Sequence, residues 1–528
     1  MNTTVRLMIV VSLIAALVAT APGVGASDLN RDPGDLTELE VEARRIWANG
    51  EGASGTFDSQ VGYAQKLRST FDFLDSSRVT VLGAIASEHS NSAYERFGLA
   101  LSNSELKELD RRISNQESFG EIVMAVAGED LSEDLWEGLD PDGSFGPMAG
   151  YWVDNQDGSR LQIRIVTENS RSNEARRAGE RKVAELVDQG RLSSSDEVRF
   201  HEAEFSLDEI YAVNYDFGVE HLVEGRKSPE LAMSVSINPV NNSADLYAEP
   251  DALEAAQSLA KGYPDGLVRV IAVGAGELSE QQEMDPRDDW GPGNWHAGAA
   301  ISIRDGNGNG QGNCTWGASA RSYSLTYIVT AAHCLGSGAY DDRTSGLNFF
   351  SNSNVSNANA RGVRSFTGND AISNWNDPNF IIWYNGPRGD IAAISTDQHA
   401  VNADYSCYNQ SLSGCSIHIV DRATISQTFI GKLVCASLGK TEEYQCHTVV
   451  SNDAAVVGRD YVREIDSAGD TARGDSGAGW KSGNDLHGIH LGRNTGNNNG
   501  LFTHAYYVED DSYLARVAIC GGGGDCNN

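Results

Sequence analysis

Three short stretches carry residue types that do chemistry together. "VTAAHC" sets His333 directly after an apolar run, "RGDIAAIS" sets Asp390 at the head of another, and "RGDSGAG" sets Ser476 among small residues. The order is His, Asp, Ser, with gaps of 57 and 86 residues. A serine hydroxyl attacks a carbonyl only when a base within hydrogen-bond reach takes its proton, and the base needs an orienting carboxylate. Glycines beside the serine let backbone N–H groups face the oxyanion that forms, and the Gly474 and Ser476 N–H groups are the expected donors. Taken singly, each stretch has a plainer meaning: a core histidine, a strand cap, a tight turn. Together they point to acyl transfer.

The half of the chain that holds them is suited to export. All eight cysteines lie at or beyond Cys314: Cys314, Cys334, Cys407, Cys415, Cys435, Cys446, Cys520 and Cys526. An even number in one half suggests disulfides there, and pairing sequence neighbours is one of 105 arrangements. No spacing resembles a zinc site. At the other end, Arg6 precedes the apolar run from Leu7 to Val18, and small residues before Ala26 suit signal cleavage. About 12 apolar residues are too few to span the ~30 Å of a bilayer core. The expected product is secreted, extracellular and free of membrane.

Net charge is −34. From Pro286 onward there are 24 acids against 16 Lys or Arg, so the first 285 residues hold most of the excess. Nucleic acid is not an expected partner, because phosphate binding needs basic patches.

Four segments are expected. Residues 1–26 are a signal peptide. Residues 27–145 are helical, with "LTELEVEARRIWA" and "SNSELKELDRRI" showing helical periodicity and a loose start signal in Ser104 with Glu108. Residues 146–284 are α+β: a hairpin turning at Asp157-Gly158, a helix ending at Gly190, then strand, helix, strand. No internal repeat is visible. Residues 285–528 are all-β, with short apolar strands such as "LTYIVTAA", "NFIIWY", "DIAAIS" and "CSIHIV". "SYLARVAI" near the end reads as a helix. "DGNGNG" from Asp305 imitates a calcium loop, but its twelfth position is Trp316, so a Gly/Asn turn is expected.

The all-β half resembles the chymotrypsin-type serine proteases, within them the bacterial secreted branch of streptogrisins and lytic endopeptidases. "TAAHC", "GDIAAI", "RGDSGAGW" and "VCASLGKTEEYQCHTV" carry the likeness. It implies two antiparallel six-stranded β-barrels with a C-terminal helix, and disulfides Cys314–Cys334 and Cys435–Cys446. It implies a serine endopeptidase acting on protein or peptide substrates without a cofactor: His333 as base, Asp390 as its partner, Ser476 as nucleophile. The same branch carries an N-terminal pro-region that assists folding and blocks the site, which the α+β segment resembles in character. Three positions depart from the pattern. Ala478 stands where a second glycine is usual, Ala436 where an arginine is common, and no cysteine lies close before Ser476.

The specificity pocket reads two ways. Asp470 lies where trypsin-like enzymes carry the acid that binds Arg or Lys. "GIHLG", however, resembles the "GIHWG" of bacterial glutamyl endopeptidases, where a histidine binds a substrate carboxylate. His490 matches that histidine, Thr471 matches an assisting hydroxyl, and Arg493 adds positive charge. The favoured expectation is acidic specificity, with Asp470 turned toward His490 or Arg493. Basic specificity read by Asp470 is one alternative, and a catalytically silent, protease-like binding module is another.

Overall fold

In the computed structural model the described residues are 33–49, 57–87, 96–128, 144–167, 170–215, 233–275, 300–304, 310–322, 325–335, 348–350, 381–386, 389–395, 404–406, 416–419, 421–438, 443–456, 459–465, 471, 475–493, 499–505 and 518–519. The signal segment, the linker before residue 300 and the cysteines 407, 415, 520 and 526 lie outside them.

The first part is helical as its periodicity requires. Helices α1 (Pro33–Asn49), α2 (Phe57–Ser69), α3 (Arg78–Ala86), α4 (Asn103–Glu117) and α5 (Phe119–Ala127) pack around Val61, Leu82, Leu99 and Phe119. Helix α4 starts earlier than Ser104 and Glu108 suggested. Ser102 is the N-cap, and it forms a reciprocal capping box with Glu105. Glu105 also holds the fully buried guanidinium of Arg68 on α2, so one carboxylate caps one helix and ties it to another.

Two similar units follow. The hairpin β1 (Met148–Asp154) and β2 (Arg160–Val166) is antiparallel, and helix α6 (Ser172–Asp188) returns the chain to β3 (Val198–Ala203), parallel to β2. After α7 (Leu207–Tyr215) the pattern recurs. Strands β4 (Met233–Asn238) and β5 (Ser243–Ala248) are antiparallel, and α8 (Leu253–Ala260) leads to β6 (Val268–Ala272), parallel to β5. The expected hairpin turn is present, with Gly158 and Ser159 both at positive φ. The recurrence is one of topology, which is why no sequence repeat announces it.

The remaining strands are β7 (Ala300–Arg304), β8 (Gly310–Thr315), β9 (Ala318–Ser322), β10 (Leu325–Thr330), β11 (Asn348–Phe350), β12 (Ile381–Gly386), β13 (Gly389–Ser395), β14 (Asp404–Ser406), β15 (Ser416–His418), β16 (Asp421–Arg422), β17 (Leu433–Leu438), β18 (Glu443–Val456), β19 (Arg459–Ile465), β20 (Gly479–Ser482), β21 (Asp485–Arg493), β22 (Gly500–His504) and β23 (Ala518–Ile519). Among the described residues one six-stranded antiparallel barrel closes, β17-β20-β21-β22-β19-β18, with β17 pairing back to β18 from Leu433–Thr448 to Leu438–Glu443, while the expected second six-stranded barrel is not seen. The other strands form a five-stranded sheet β12-β13-β10-β9-β23, a three-stranded sheet β11-β7-β8 and the pair β14-β15, and β16 pairs with β21 of the barrel. Strand β13 packs against the barrel at β19, β21 and β22. The helix expected at "SYLARVAI" is corrected at its end. Ala518 and Ile519 are strand, paired with Arg321 and Ala320 of β9. An unpaired sheet edge offers those residues backbone partners that two helical positions at a chain end lack.

Strand β18 runs on past the residues that close the barrel on β17. Strand β4 adds to its edge, pairing Ser236 with Ala454 and Val235 with Ala455, and β5 and β6 extend it further. The N-terminal half therefore continues the β-structure of the C-terminal half. Other contacts enlarge this interface. The Val153 N–H donates to the Ile430 carbonyl at 2.7 Å, and Asn155 Nδ2 donates to the Gly431 carbonyl at 2.8 Å. Phe429 meets the rings of Phe119 and Tyr151, each 6.2 Å away. The Tyr63 hydroxyl accepts from the Cys446 N–H at 2.6 Å and donates to the Phe97 carbonyl at 2.9 Å.

Two lysines of the C-terminal half are buried at this interface. Burial lowers the Lys432 amine to about 8, against the pull of Glu117 and Asp485. Burial, with Arg96 beside it, lowers Lys481 to about 7. Once unfolded, both regain an ordinary value near 10.5. The unfolded chain then binds more protons than the folded one between pH 7 and 10.5, so these lysines make stability rise with pH across that window and fall as pH drops through it. The expected result is a thermal midpoint higher at pH 9 than at pH 7, with a smaller rise in Lys481→Met. A flat or falling midpoint contradicts the assignment.

Candidate active site

Strand β10 is apolar and held in register between β9 and β13, so it delivers the chain to a 3₁₀ turn at Ala332–Leu335. His333 sits on that turn and is buried. Its neighbour Cys334 is bonded to Cys314, and Cys435 is bonded to Cys446, as the resemblance implied. An imidazole nitrogen of His333 and both sulfurs of the first bridge lie within 4.8 Å of one another. This trio has the look of a metal cluster, but both sulfurs are spent in the disulfide and offer no thiolate.

Ser476 arrives at the same bridge from the other sheet. Its carbonyl accepts from the Thr315 N–H at 2.7 Å and lies 3.9 Å from Cys334 Sγ. The backbone around it is pinned on both sides. The Gly477 N–H donates to the His490 carbonyl and the His490 N–H to the Ala478 carbonyl, each at 2.7 Å. Gly477 has φ +92°, and a Cβ there would overlap Thr330 Oγ1 and the Thr315 carbonyl oxygen. Only glycine meets both demands. The Ser476 hydroxyl is buried and donates to the Leu491 carbonyl at 3.3 Å, not to an imidazole. Its N–H makes no hydrogen bond among the described residues.

Asp390 is on β13, in register with Asn385 of β12. That strand packs against the His333 turn, and Ile391 beside Asp390 is fully buried. The structure thus brings Ser476 and His333 to one disulfide and sets the strand that carries Asp390 against the His333 turn. The Asp390 side chain, Gly474 and Asp470 lie outside the described residues.

The departures from the family pattern have a physical setting. The Ala478 methyl packs into the protein interior. It is fully buried with Val434, Ala436, Val449, Trp480 and Phe502 in the core of the barrel. Ala436 occupies the same core, where an arginine would bury a charge. Asp475 is fully buried as well.

Of the pocket residues, Thr471 is buried and its hydroxyl has no hydrogen-bond partner among the described residues. A buried hydroxyl left so is uncommon in a folded protein. His490 lies on β21, nearly wholly buried, opposite Phe502 of β22. Burial first, then the charges of His333 and Arg493, lower its imidazole to about 3, so it is neutral at physiological pH. That coupling places His490 and Arg493 in the same electrostatic neighbourhood as His333.

Sequence reading missed the groups behind the pocket. Trp480 is fully buried, and its Nε1–H donates to His490 Nδ1 at 3.3 Å. Its ring stands edge-on to His490 and to His447, with centroids 5.8 Å away in each case. A second buried group joins Thr428 to two histidines, its hydroxyl 2.7 Å from His487 Nδ1 and 2.7 Å from His504 Nε2. One signal was available: the strand alternation of "GAGW" and "DLHGIHLG" puts Trp480, His487 and His490 on neighbouring strands.

No protein-family model matches the sequence, and no curated protein matches it. Solved structures do. One is described as a glutamic-acid-specific serine protease that uses a histidine triad in substrate binding, 18% identical, TM-score 0.29, covering 42% of this chain and 98% of that one. The Cellulomonas bogoriensis chymotrypsin is 18% identical, TM-score 0.28, covering 43% and 98%. An alpha-lytic protease homologue, N4, is 15% identical, TM-score 0.29, covering 42% and 97%. Among the described residues no helix is long and apolar enough to cross a membrane. Each of these three covers somewhat less than half of this chain, at a TM-score well below 0.5.

Proposed function

We propose that the C-terminal half is a secreted serine endopeptidase and that residues 27–284 are its pro-region. Ser476 attacks the substrate carbonyl, His333 takes the hydroxyl proton and returns it to the leaving amine, and Asp390 orients the imidazole. The N–H groups of Ser476 and Gly474 receive the oxyanion. Water then hydrolyses the acyl-enzyme by the same proton path. The carrying observation is the convergence of Ser476 and His333, from different sheets, on the Cys314–Cys334 bridge. At rest the hydroxyl bonds the Leu491 carbonyl, and substrate binding must turn it toward His333.

The pocket favours an acidic side chain before the scissile bond. The Thr471 hydroxyl is buried with no partner among the described residues, and a substrate carboxylate would supply one. His490 adds a donor, and Arg493 biases the site toward negative charge. Histidine is also the means of substrate binding named for the glutamic-acid-specific neighbour. The test is a set of matched peptides ending in Glu, Arg and Phe before the cleaved bond, offered to the wild-type chain and to Ser476→Ala. Glu is expected to be cleaved fastest, by at least about tenfold, since one charge-assisted hydrogen bond contributes roughly 1.5–3 kcal/mol. A win for Arg transfers the reading role to Asp470. Absence of cleavage of all three by the wild type overturns the endopeptidase reading.

The pro-region reading draws its support from the sheet that β4 shares with β18, and from the burial of Lys432 and Lys481 at the junction. Sheets built from distant strand pairings fold slowly, because loop closure precedes the contacts that reward it. A preformed edge at β4 gives β18 a partner early.

A further inference from the structure

We propose that Trp480 is a positioning residue for the pocket: its indole N–H fixes His490 in the single neutral tautomer that carries the proton on Nε2. The consequence for specificity rests on the pocket reading above; the tautomer itself does not. An indole nitrogen donates and never accepts. Its 3.3 Å contact with His490 Nδ1 therefore requires a bare Nδ1. In a neutral imidazole the proton then resides on Nε2, which makes no hydrogen bond among the described residues. The pocket is left with one fixed, uncharged donor.

The packing explains why the contact holds. Trp480 is fully buried and stands between two imidazoles, at interplanar angles of 71° to His447 and 68° to His490. His447 is fixed in turn: its Nε2 lies 3.0 Å from Gln445 Oε1, and the Tyr63 ring meets its other side at 5.9 Å. Behind the tryptophan, Gly488 is its cross-strand partner, and a Cβ there would overlap the Phe502 ring. Rotating the indole would move Nε1 off His490 and drive the ring into one of these neighbours. The column runs from the N-terminal half, through Tyr63, His447 and Trp480, to His490. The charged and titratable groups facing His490 are His333 and Arg493, and both disfavour a second proton on it.

A fixed neutral donor distinguishes acceptors from donors. It suits a carboxylate, it suits the amide oxygen of Gln less strongly, and it offers nothing to Lys or Arg. The experiment uses the full chain as Ser476→Ala, so that it stays intact, with ¹⁵N-labelled histidine. His490→Gln assigns the resonance. His490 is expected to show Nδ1 unprotonated and Nε2 protonated. Trp480→Phe, which keeps an edge-on ring but removes the N–H, is expected to give mixed tautomers. In the active chain, the same change is expected to lower kcat/KM on the Glu peptide about tenfold, the loss of one neutral hydrogen bond. The Phe peptide is expected to lose less. A proton on Nδ1 in the wild type overturns the proposal. So does an unchanged tautomer in a folded Trp480→Phe chain. The wild-type spectrum decides the tautomer even where the variant does not fold. A locked tautomer without Glu preference leaves the proposal standing and removes the acidic reading instead.

Discussion

Ser476→Ala is expected to lower kcat on a good peptide substrate by about a millionfold, and His333→Ala by about as much. The double variant is expected to lose no more than either single one. The reason is that the two groups act as one unit. A hydroxyl without its base is an alcohol at neutral pH, and an imidazole without its alcohol has no proton to take. What survives is the contribution of the oxyanion donors and of binding, a factor of about 10³–10⁴ over water in comparable enzymes. The structure bears on this residual. Gly477 has a backbone that no side chain can share, and the hydrogen bonds to Thr315 and His490 hold the loop without help from the Ser476 hydroxyl. The loop, and with it the donors, should keep its shape in both variants. Additive losses in the double variant would mean that Ser476 and His333 act independently. Steady-state kinetics on the three purified variants measure this directly.

The second large effect concerns the junction of the two halves. Gly431 has φ +88°, and a Cβ there would overlap the carbonyl oxygen of Val153, a backbone atom that has no side-chain freedom with which to yield. Gly431→Ala must therefore push β1 away. That breaks the bond from the Val153 N–H to Ile430 and strains the bond from Asn155 to Gly431. With the left-handed backbone strain added, the cost is about 4 kcal/mol or more, close to a thousandfold in an equilibrium. The expected outcome is a steep loss of active enzyme recovered after the full chain is unfolded and refolded. Gly190→Ala is the control. It also has positive φ, +68°, but nothing lies within 4 Å of the added methyl. It is expected to refold nearly as wild type. Equal recovery for Gly431→Ala and wild type would contradict the pro-region reading.

These two effects divide what the sequence makes legible from what it does not. The residues around Ser476 could be read in advance, because a tight turn with exposed N–H groups leaves a local signature of glycines. The Val153–Gly431 contact could not. It joins a hairpin of the N-terminal half to a loop in the other half, and neither stretch is unusual alone. Helices α1, α4 and α6 were legible from periodicity, since their apolar faces repeat within one segment. The start of α4 was misplaced because Ser102 and Ser104 are both plausible caps, and only the bond to the Glu105 N–H selects Ser102. The last two residues of the expected helix were misread for a related reason. "SYLARVAI" has helical spacing, yet Ala518 and Ile519 pair with β9, a partner nearly two hundred residues away in a chain whose local pattern says nothing of it.

The pocket shows the same limit on a smaller scale. His490, Thr471 and Arg493 were singled out by the resemblance of "GIHLG" and its surroundings to the glutamyl endopeptidases. Trp480 was in plain view in "GAGW", but its role arises only when β20 and β21 are laid side by side and the indole nitrogen meets Nδ1. Ala478, which stands where a second glycine is usual, is buried in the same core as Trp480 just before β20 begins.

A nucleophile made by proton transfer to one histidine is the claim on which the functional account stands. Reaction of the full chain with a fluorophosphonate, followed by peptide mapping, tests it most directly. The account predicts one adduct on Ser476 in the wild type, and none in Ser476→Ala or His333→Ala over the same period. A wild-type chain that remains unlabelled, or that labels equally well without His333, would contradict it.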